Sequence, residues 1–511
     1  MAGNDGLVRP EERADTRFAW AMAGLAAGVG ALPLLLPTGL APQDWPGHLA
    51  RAAMLADMLR GDGPWAAFYT LNPSAWANVL VDALAVALLS AKVPFLIAAR
   101  VVLVLCYLAF LGGFNALARV TAGGGAIKLG FAAVLFSNGA LFYGLISYLF
   151  GLGVLMGALA LWLGGGVRVR LVLATLGVAV VFACHLVAAA LFAGIVAGLG
   201  LWGLAAARRW DWRHGAGLLA PVVLLAFMRG SAAGGGGTGL AWVGAPSVAR
   251  MLYWKLSIFA RSWLGGAPAA DWALLGGAIL LGGLVWRLGR PRLSPTALGI
   301  VAMTALLALL APQRLGAGSL LDFRLALVPL LLAAAMVELH PRGQSGARLL
   351  CAAVLVTCAV RSVVLTAAWY AADRQYMALD ARLARLSAGG VLLTGAGRPV
   401  AQVPWREYWS PTVGNIAALG VRHGLFVPTV FAAASQQVLV LQAAYQPWNV
   451  AVDTSDAAAL DAVRQQAAGL CARFAGGVHL LVIYPSAQDL PGMERIADRF
   501  GVLDICGVQP A

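Results

Sequence analysis
A chain of 511 residues with a net charge of +14, 61% hydrophobic residues and a mean hydropathy of +0.81 reads as a polytopic membrane protein. Nearly every buried position is expected to face lipid or another helix. The positive charge does not mark a nucleic-acid binder. From residue 372 onward ten Arg and Lys balance ten Asp and Glu, so the excess lies in short loops of the preceding part, where Arg and Lys mark the cytoplasmic side. Only three of the 36 basic residues are Lys, and Ala and Gly abound, which points to a GC-rich bacterial genome.

The opening MAGNDGLVRPEERADTR is polar and mixed in charge. No small-residue cleavage site follows the apolar run 18–37, so that run is expected to be a retained first span. Next comes a polar island, PQDWPGHLAR at 42–51. The loop 38–77 then continues as HLARAAMLADMLRG, whose pattern predicts an amphipathic helix along the membrane surface. The stretch 78–118 is long enough for two short helices broken at Lys92 and Pro94, although the basic residues at 119–128 call for a single net crossing. Further crossings are expected near 129–145, 148–165, 171–187, 188–206, 216–230, 272–288, 297–312, 322–340 and 348–371. That makes about 11 spans, or up to about 13 with re-entrant helices, built from apolar stretches of roughly 17–25 residues.

With the basic loops inside, the N-terminus is cytoplasmic and 38–77, 231–271 and 372–511 lie outside. The run GSAAGGGGTG at 230–239 is too flexible for a span. Trp242, Tyr253, Trp254, Phe259, Trp263 and Trp272 follow it at a density that marks the headgroup zone. Beyond 372, strand-length apolar runs (391–395, 438–442, 479–484, 502–508) alternate with amphipathic helices, which predicts a small α/β domain. Cys471 and Cys506 lie in that domain and are able to bond if it is periplasmic. Cys106, Cys184, Cys351 and Cys358 lie in apolar spans as small core residues. The expected architecture is therefore a mainly α transmembrane bundle over 1–371, with amphipathic surface helices, and a periplasmic α/β domain over 372–511.

Ionisable groups at membrane depth or on its rim are the candidates for chemistry. Asp44 and His48 lie one helical turn apart. Asp44, before Trp45-Pro46, fits a helix N-cap with Pro in the first turn. It equally fits a general base that deprotonates an acceptor hydroxyl attacking an activated sugar; the two are compatible, because a cap fixes the carboxylate. His48 either bonds acceptor or phosphate or orients Asp44, and Arg51 follows on the same helix. Asp82, a lone carboxylate in NVLVDALAVALL, is either a packing group paired with a nearby Asn or Arg or part of the site.

Arg250, Trp254 and Arg261 share one helical face, since eleven residues make three turns, and Lys255 lies off it. Two cations beside aromatics suit a lipid phosphate or ordinary interfacial anchoring. At predicted outer span ends stand Asn138, Tyr143 and Tyr148 with His185, and Asp322 with Arg324. The last two are too close in sequence to pair on one face, so each is expected to meet another helix. No HExxH, CxxC, P-loop or nucleophile-elbow motif is present, so metal or ATP chemistry has no motif behind it.

An inside N-terminus, one span, an acidic residue early in a large outer loop, surface helices, many further spans and a terminal periplasmic domain together resemble the GT-C class of integral-membrane glycosyltransferases. DWPGHLAR is similar to the start of the first loop in bacterial multi-pass proteins of that class, and NIAALGVRHGLFVPTVFAAASQQ at 415–437 to their C-terminal region. The resemblance implies a polyprenyl-phosphate-linked sugar as donor, membrane lipids as surroundings, and a glycan, lipid or protein as acceptor. It places Asp44 at the class's catalytic acidic position. Trp45 follows where many members carry a second acidic residue; a monophosphate-linked donor needs no divalent cation if Arg and Lys meet its phosphate, and no cofactor is expected. Two other readings stand beside this one. A transporter or lipid flippase would need ionisable groups at mid-membrane, and a non-catalytic assembly protein would bind a partner through 372–511.

Overall fold
The structure is a computed structural model that describes residues 10–506, apart from 40–41, 124, 209–211, 232–239, 242–246, 264–267, 316–319, 398–410, 431–436, 484–489, 491 and 498–499. The glycine run at 232–239 and Trp242 therefore lie outside the described residues. Among the described residues, six helices are long and apolar enough to cross a membrane: Arg17–Leu35 within α1 (Pro10–Leu35), α4 (Phe95–Ala122), α7 (Ile146–Gly164), the helix Val167–Cys184, α10 (Leu186–Ala207) and α16 (Gly343–Leu383). Shorter apolar helices stand among them: α3 (Leu80–Ser90), α5 (Ala126–Phe136), α11 (Trp212–Ser231), α13 (Pro268–Gly289) and α14 (Pro295–Leu310). Leu, Val and Trp side chains are exposed along their outer faces, as a lipid-facing bundle requires. The chain is an integral membrane protein.

Of the less regular stretches, the first takes the two-helix form with its break at Lys92 and Pro94, and the second departs from the expected span. The run 78–118 divides: α3 has 11 residues, Lys92 takes a left-handed turn (φ 62°), and Pro94 starts α4. At 1.5 Å per residue α3 is roughly 16 Å long, too short to cross a hydrocarbon core about 30 Å thick. The run 129–145 is not one span either. Helix α5 stops at Phe136, and Asn138 caps a four-residue helix α6 (Gly139–Phe142), its Oδ1 accepting from the N–H groups of Ala140 (2.8 Å) and Leu141 (3.2 Å). An amide that satisfies two helix donors ends one helix and starts the next.

Helix α16 is 41 residues, roughly 60 Å, and so projects well beyond a membrane. It runs through the 371/372 boundary without a break. Beside it α1 runs in the same direction. Arg348 stacks over Phe18 at one end, and the Asp373 carboxylate accepts from Thr38 N (2.8 Å) and Gly39 N (2.9 Å) at the other. The loop after α1 and the domain after α16 therefore emerge on the same side.

That domain carries a five-stranded sheet of order β6-β4-β7-β9-β8, with β4 (Val391–Ala396), β6 (Val452–Asp453) and β7 (Val478–Ile483) parallel. The strands β8 (Glu494–Ala497) and β9 (Phe500–Asp504) complete it in antiparallel sense. Helices α17 (Pro411–Arg422) and α18 (Ala457–Cys471) pack against it, and Cys471 is bonded to Cys506. The strand expected at 438–442 is present as β5 (Leu439–Leu441), but it pairs with β1 (Tyr69–Leu71) of the first loop instead of joining the sheet.

The first loop and the domain share one core. Phe68 stacks on Phe426 with ring centroids 4.2 Å apart, Tyr69 is fully buried, and its hydroxyl donates to Val427 O (3.1 Å). Helix α2 (Trp45–Arg60) lies between that core and the bundle: Trp45, Leu49 and Ala52 pack into the bundle, Ala50 and Met54 into the domain. It is a wedge between two bodies, with half its residues buried, and not the membrane-surface helix its periodicity suggests. The surface helix is α12 (Val248–Arg261), which keeps Val248, Leu252, Leu256 and Phe259 exposed along one stripe.

Candidate active site
Everything around Asp44 begins with how its backbone is held. Gln43 N donates to Phe142 O and Asp44 N to Tyr143 O, both at 3.1 Å, so the turn after α6 fastens the start of α2. Two glycines make the fit possible. Gly144 has φ 73°, and a Cβ there would lie 2.4 Å from Asp44 N; on the other side, a Cβ on Gly414 of α17 would lie 1.9 Å from Gln43 O. No side chain fits in either place.

This clamp overturns the capping role. Asp44 has helical backbone angles (φ −81°, ψ −19°), whereas a capping side chain needs an extended residue. Its carboxylate accepts no hydrogen bond from any described residue. Asp44 is exposed to solvent by surface area, yet protein packs closely around it, so its side chain sits in an open recess. Burial raises the carboxyl above its ordinary 3.8, and the charges of His48, Arg324 and Arg51, in that order, pull it back.

The surroundings come from α2, α3, α7, α15 (Leu321–Met336) and the start of α10. On α2, His48 Nδ1 lies 2.8 Å from Asp82 Oδ1 of α3 and 2.8 Å from Arg51 Nη2, and Arg51 Nη2 lies 3.6 Å from Asp82 Oδ2. Asp82 is thus paired with His48 and Arg51, which joins three of the expected residues in one cluster. Burial lowers the Arg51 guanidinium and Asp82 opposes that shift. From α15 comes Arg324, near Asp44, Tyr148 and His185; Tyr148 Oη donates to Arg324 O at 2.6 Å. His185 caps α10, its Nδ1 accepting from Val187 N (3.1 Å), and meets the Tyr148 ring edge-on at 5.1 Å. With Nδ1 accepting, the neutral ring carries its proton on Nε2.

These side chains come together on a fold that has solved counterparts. Crystal structures of ArnT from Cupriavidus metallidurans match over 97% of this chain and 100% of that one at 15% identity. The TM-score is 0.54 for the apo state and 0.51 for the form bound to undecaprenyl phosphate. The chain has the ArnT fold. The GT-C fold expected from the order of spans, outer loop and terminal domain is therefore the one it adopts. No family model matches the chain, and no curated protein does. A fold alone fixes no activity.

The other expected residues take different places. Asn138 is occupied as the α6 cap, its Nδ2 donating to Leu135 O (2.8 Å). Tyr143 is buried edge-on to Phe323, and its carbonyl serves Asp44. Lys255 and Asp322 form a buried pair (3.3 Å) that ties α12 to α15, with Lys255 Nζ also donating to Ala311 O. Arg261 stacks on Trp254 (5.5 Å), and Arg250 is exposed near the start of α12. The basic side chains that act on Asp44 are His48, Arg324 and Arg51. One residue escaped the sequence reading. Gln43 is 6% exposed, and its Oε1 has no partner among the described residues; its one signal was its place beside Asp44. Among the described residues, no three His, Cys, Asp or Glu side chains cluster as metal ligands.

Proposed function
We propose that this chain is an inverting glycosyltransferase that moves a sugar from a polyprenyl-phosphate donor to a glycan, lipid or protein acceptor at the periplasmic face of a bacterial inner membrane. The carrying observation is Asp44: an exposed carboxylate that accepts no hydrogen bond from the described residues, held by its backbone close to the charges of Arg324 and Arg51. The ArnT fold, solved in that protein with undecaprenyl phosphate bound, supports a lipid-linked donor.

In this reading Asp44 takes the proton of the acceptor hydroxyl as its oxygen attacks the anomeric carbon. The bond to the phosphate oxygen breaks on the opposite face, so configuration inverts in one displacement. A positioned base is worth about 10²–10⁴ in rate. Arg324 meets the charge gathering on the departing phosphate, since buried fixed cations stabilise such charge without reorganising. Arg250 and Arg261, on the surface helix, are suited to meet a lipid phosphate at the membrane rim before it enters.

The test is transfer by purified protein from a panel of polyprenyl-phosphate sugars, with Asp44→Asn beside the wild type. Turnover in the wild type that disappears in the variant supports the reading. Equal turnover in both would move the base elsewhere.

A further inference from the structure
His48 is tied more closely than a residue that merely fills space. Its Nδ1 sits 2.8 Å from the Asp82 carboxylate and 2.8 Å from Arg51 Nη2. A protonated Nδ1 gives Asp82 a charge-assisted bond, and a bare Nδ1 accepts from Arg51, which also lies 3.6 Å from the other Asp82 oxygen. In either form Nδ1 is engaged, and Nε2 is the ring corner left for chemistry.

His48 is also a neighbour of Asp44. His48 lies one turn along α2, its N–H bonded to Asp44 O at 3.2 Å. Helical side chains lean toward the N-terminus, here toward Asp44. Trp45 packs against the ring with centroids 6.4 Å apart. The imidazole is partly exposed, at 19% of its side chain, while Arg51 beneath it is at 5%.

We infer that His48, held by Asp82 and Arg51, is a catalytic acid in the same recess as the Asp44 base, delivering a proton from Nε2 to the phosphate oxygen of the departing lipid. This rests on the transfer reaction proposed above. As the acceptor oxygen bonds to the anomeric carbon, the carbon–oxygen bond to phosphate breaks and its electron pair stays on the phosphate oxygen. The acceptor's proton goes to Asp44, and the Nε2 proton of the imidazolium goes to that phosphate oxygen. The products are the glycoside, a singly protonated lipid phosphate, a protonated Asp44 and a neutral His48. Asp44 returns its proton to water and His48 takes one from water. Asp82 and Arg51 are positioning residues.

The groups that face His48 are Asp44, Arg51, Asp82 and His185. The experiment measures kcat and KM from about pH 5 to 9, where an imidazole changes charge, with any polyprenyl-phosphate sugar the wild type turns over. His48→Gln should lose about 100-fold in kcat, keep its donor KM within about threefold, and lose the basic limb of the profile while keeping the acid limb of Asp44. Asp82→Asn removes a negative neighbour, which favours the neutral imidazole, so its basic limb should move to lower pH. Should His48→Gln fail to give a monodisperse protein, the Asp82→Asn shift decides alone. A basic limb that persists in His48→Gln or does not move in Asp82→Asn overturns the assignment. If Asp44→Asn is inactive while His48→Gln is not, only the acid falls. A wild type inactive with every donor overturns the reaction and the acid together.

Discussion
At the scale of single residues, a catalytic carboxylate and a structural one behave differently when neutralised. Asp44 carries a raised pKa, so its ionised form is disfavoured by folding at neutral pH. The linked cost is present above the unfolded value of 3.8 and vanishes as pH falls below it, where both states are protonated. Asp44→Asn should therefore melt at or above the wild-type temperature at pH 7, with the difference closing as the solution is acidified. Transfer should fall by about 10²–10⁴, because an amide takes no proton. A melting temperature well below wild type would instead assign Asp44 a structural role. Arg324→Gln tests the same electrostatics from the other side. It removes a cation that holds the Asp44 carboxyl down, so the acid limb of kcat should move to higher pH, and an unmoved limb would separate Arg324 from the site.

At the scale of elements, the recess depends on how closely α17 and the turn after α6 approach the start of α2. Gly144→Ala and Gly414→Ala each place a methyl inside backbone contact distance of residues 43–44. Overpacking of this kind costs about 1–3 kcal/mol, and the displaced carboxylate should lose turnover beyond what the change in melting temperature explains. Parallel losses of activity and stability would mean that the clamp only supports the fold. The ion pair of Lys255 and Asp322 gives a second element-scale test. Lys255→Met strands a buried carboxylate, at about 3–5 kcal/mol, whereas Lys255→Met with Asp322→Asn should recover much of that; thermal melts of the two variants decide it.

These two features also show where the sequence stops being informative. Six of the expected spans and the alternating strands and helices beyond 390 are local patterns, and they were legible. Lys255 stood out as lying off the face of Arg250 and Arg261, but its partner is 67 residues away and follows only from how α12 meets α15. The wedge position of α2 was hidden for the same reason, because an amphipathic period says that one face is apolar and not what covers it. Asp44 was singled out through its setting, and its cap was wrongly expected because the Asp-Trp-Pro order fits a cap while the backbone there is clamped by Gly144 and Gly414 from elsewhere in the chain.

For the whole molecule, the arrangement that matters is that the loop bearing Asp44 and the terminal domain form one body above the bundle. Helices α1 and α16 run side by side in the same direction, so both segments emerge together. Their joint core, centred on Phe68, Tyr69 and Phe426, is sealed by the antiparallel pair of β1 and β5. Thr70 stands opposite Val440 in that register. Opposed residues of an antiparallel pair have Cα atoms about 4.5–5.5 Å apart, within the span a disulfide accepts. A Thr70→Cys, Val440→Cys chain should therefore close a new disulfide. If the domain is periplasmic, oxidation should be complete without added oxidant, as for Cys471 and Cys506. Thiol labelling of membranes, followed by proteolysis and a non-reducing gel, reads the result. Two free, labelled cysteines would separate the loop from the domain, and with it the recess from the α17 turn that closes around Gln43 and Asp44. A closed bond with transfer retained would show that this lid of strands stays shut through turnover, so that donor and acceptor must enter from the bundle side.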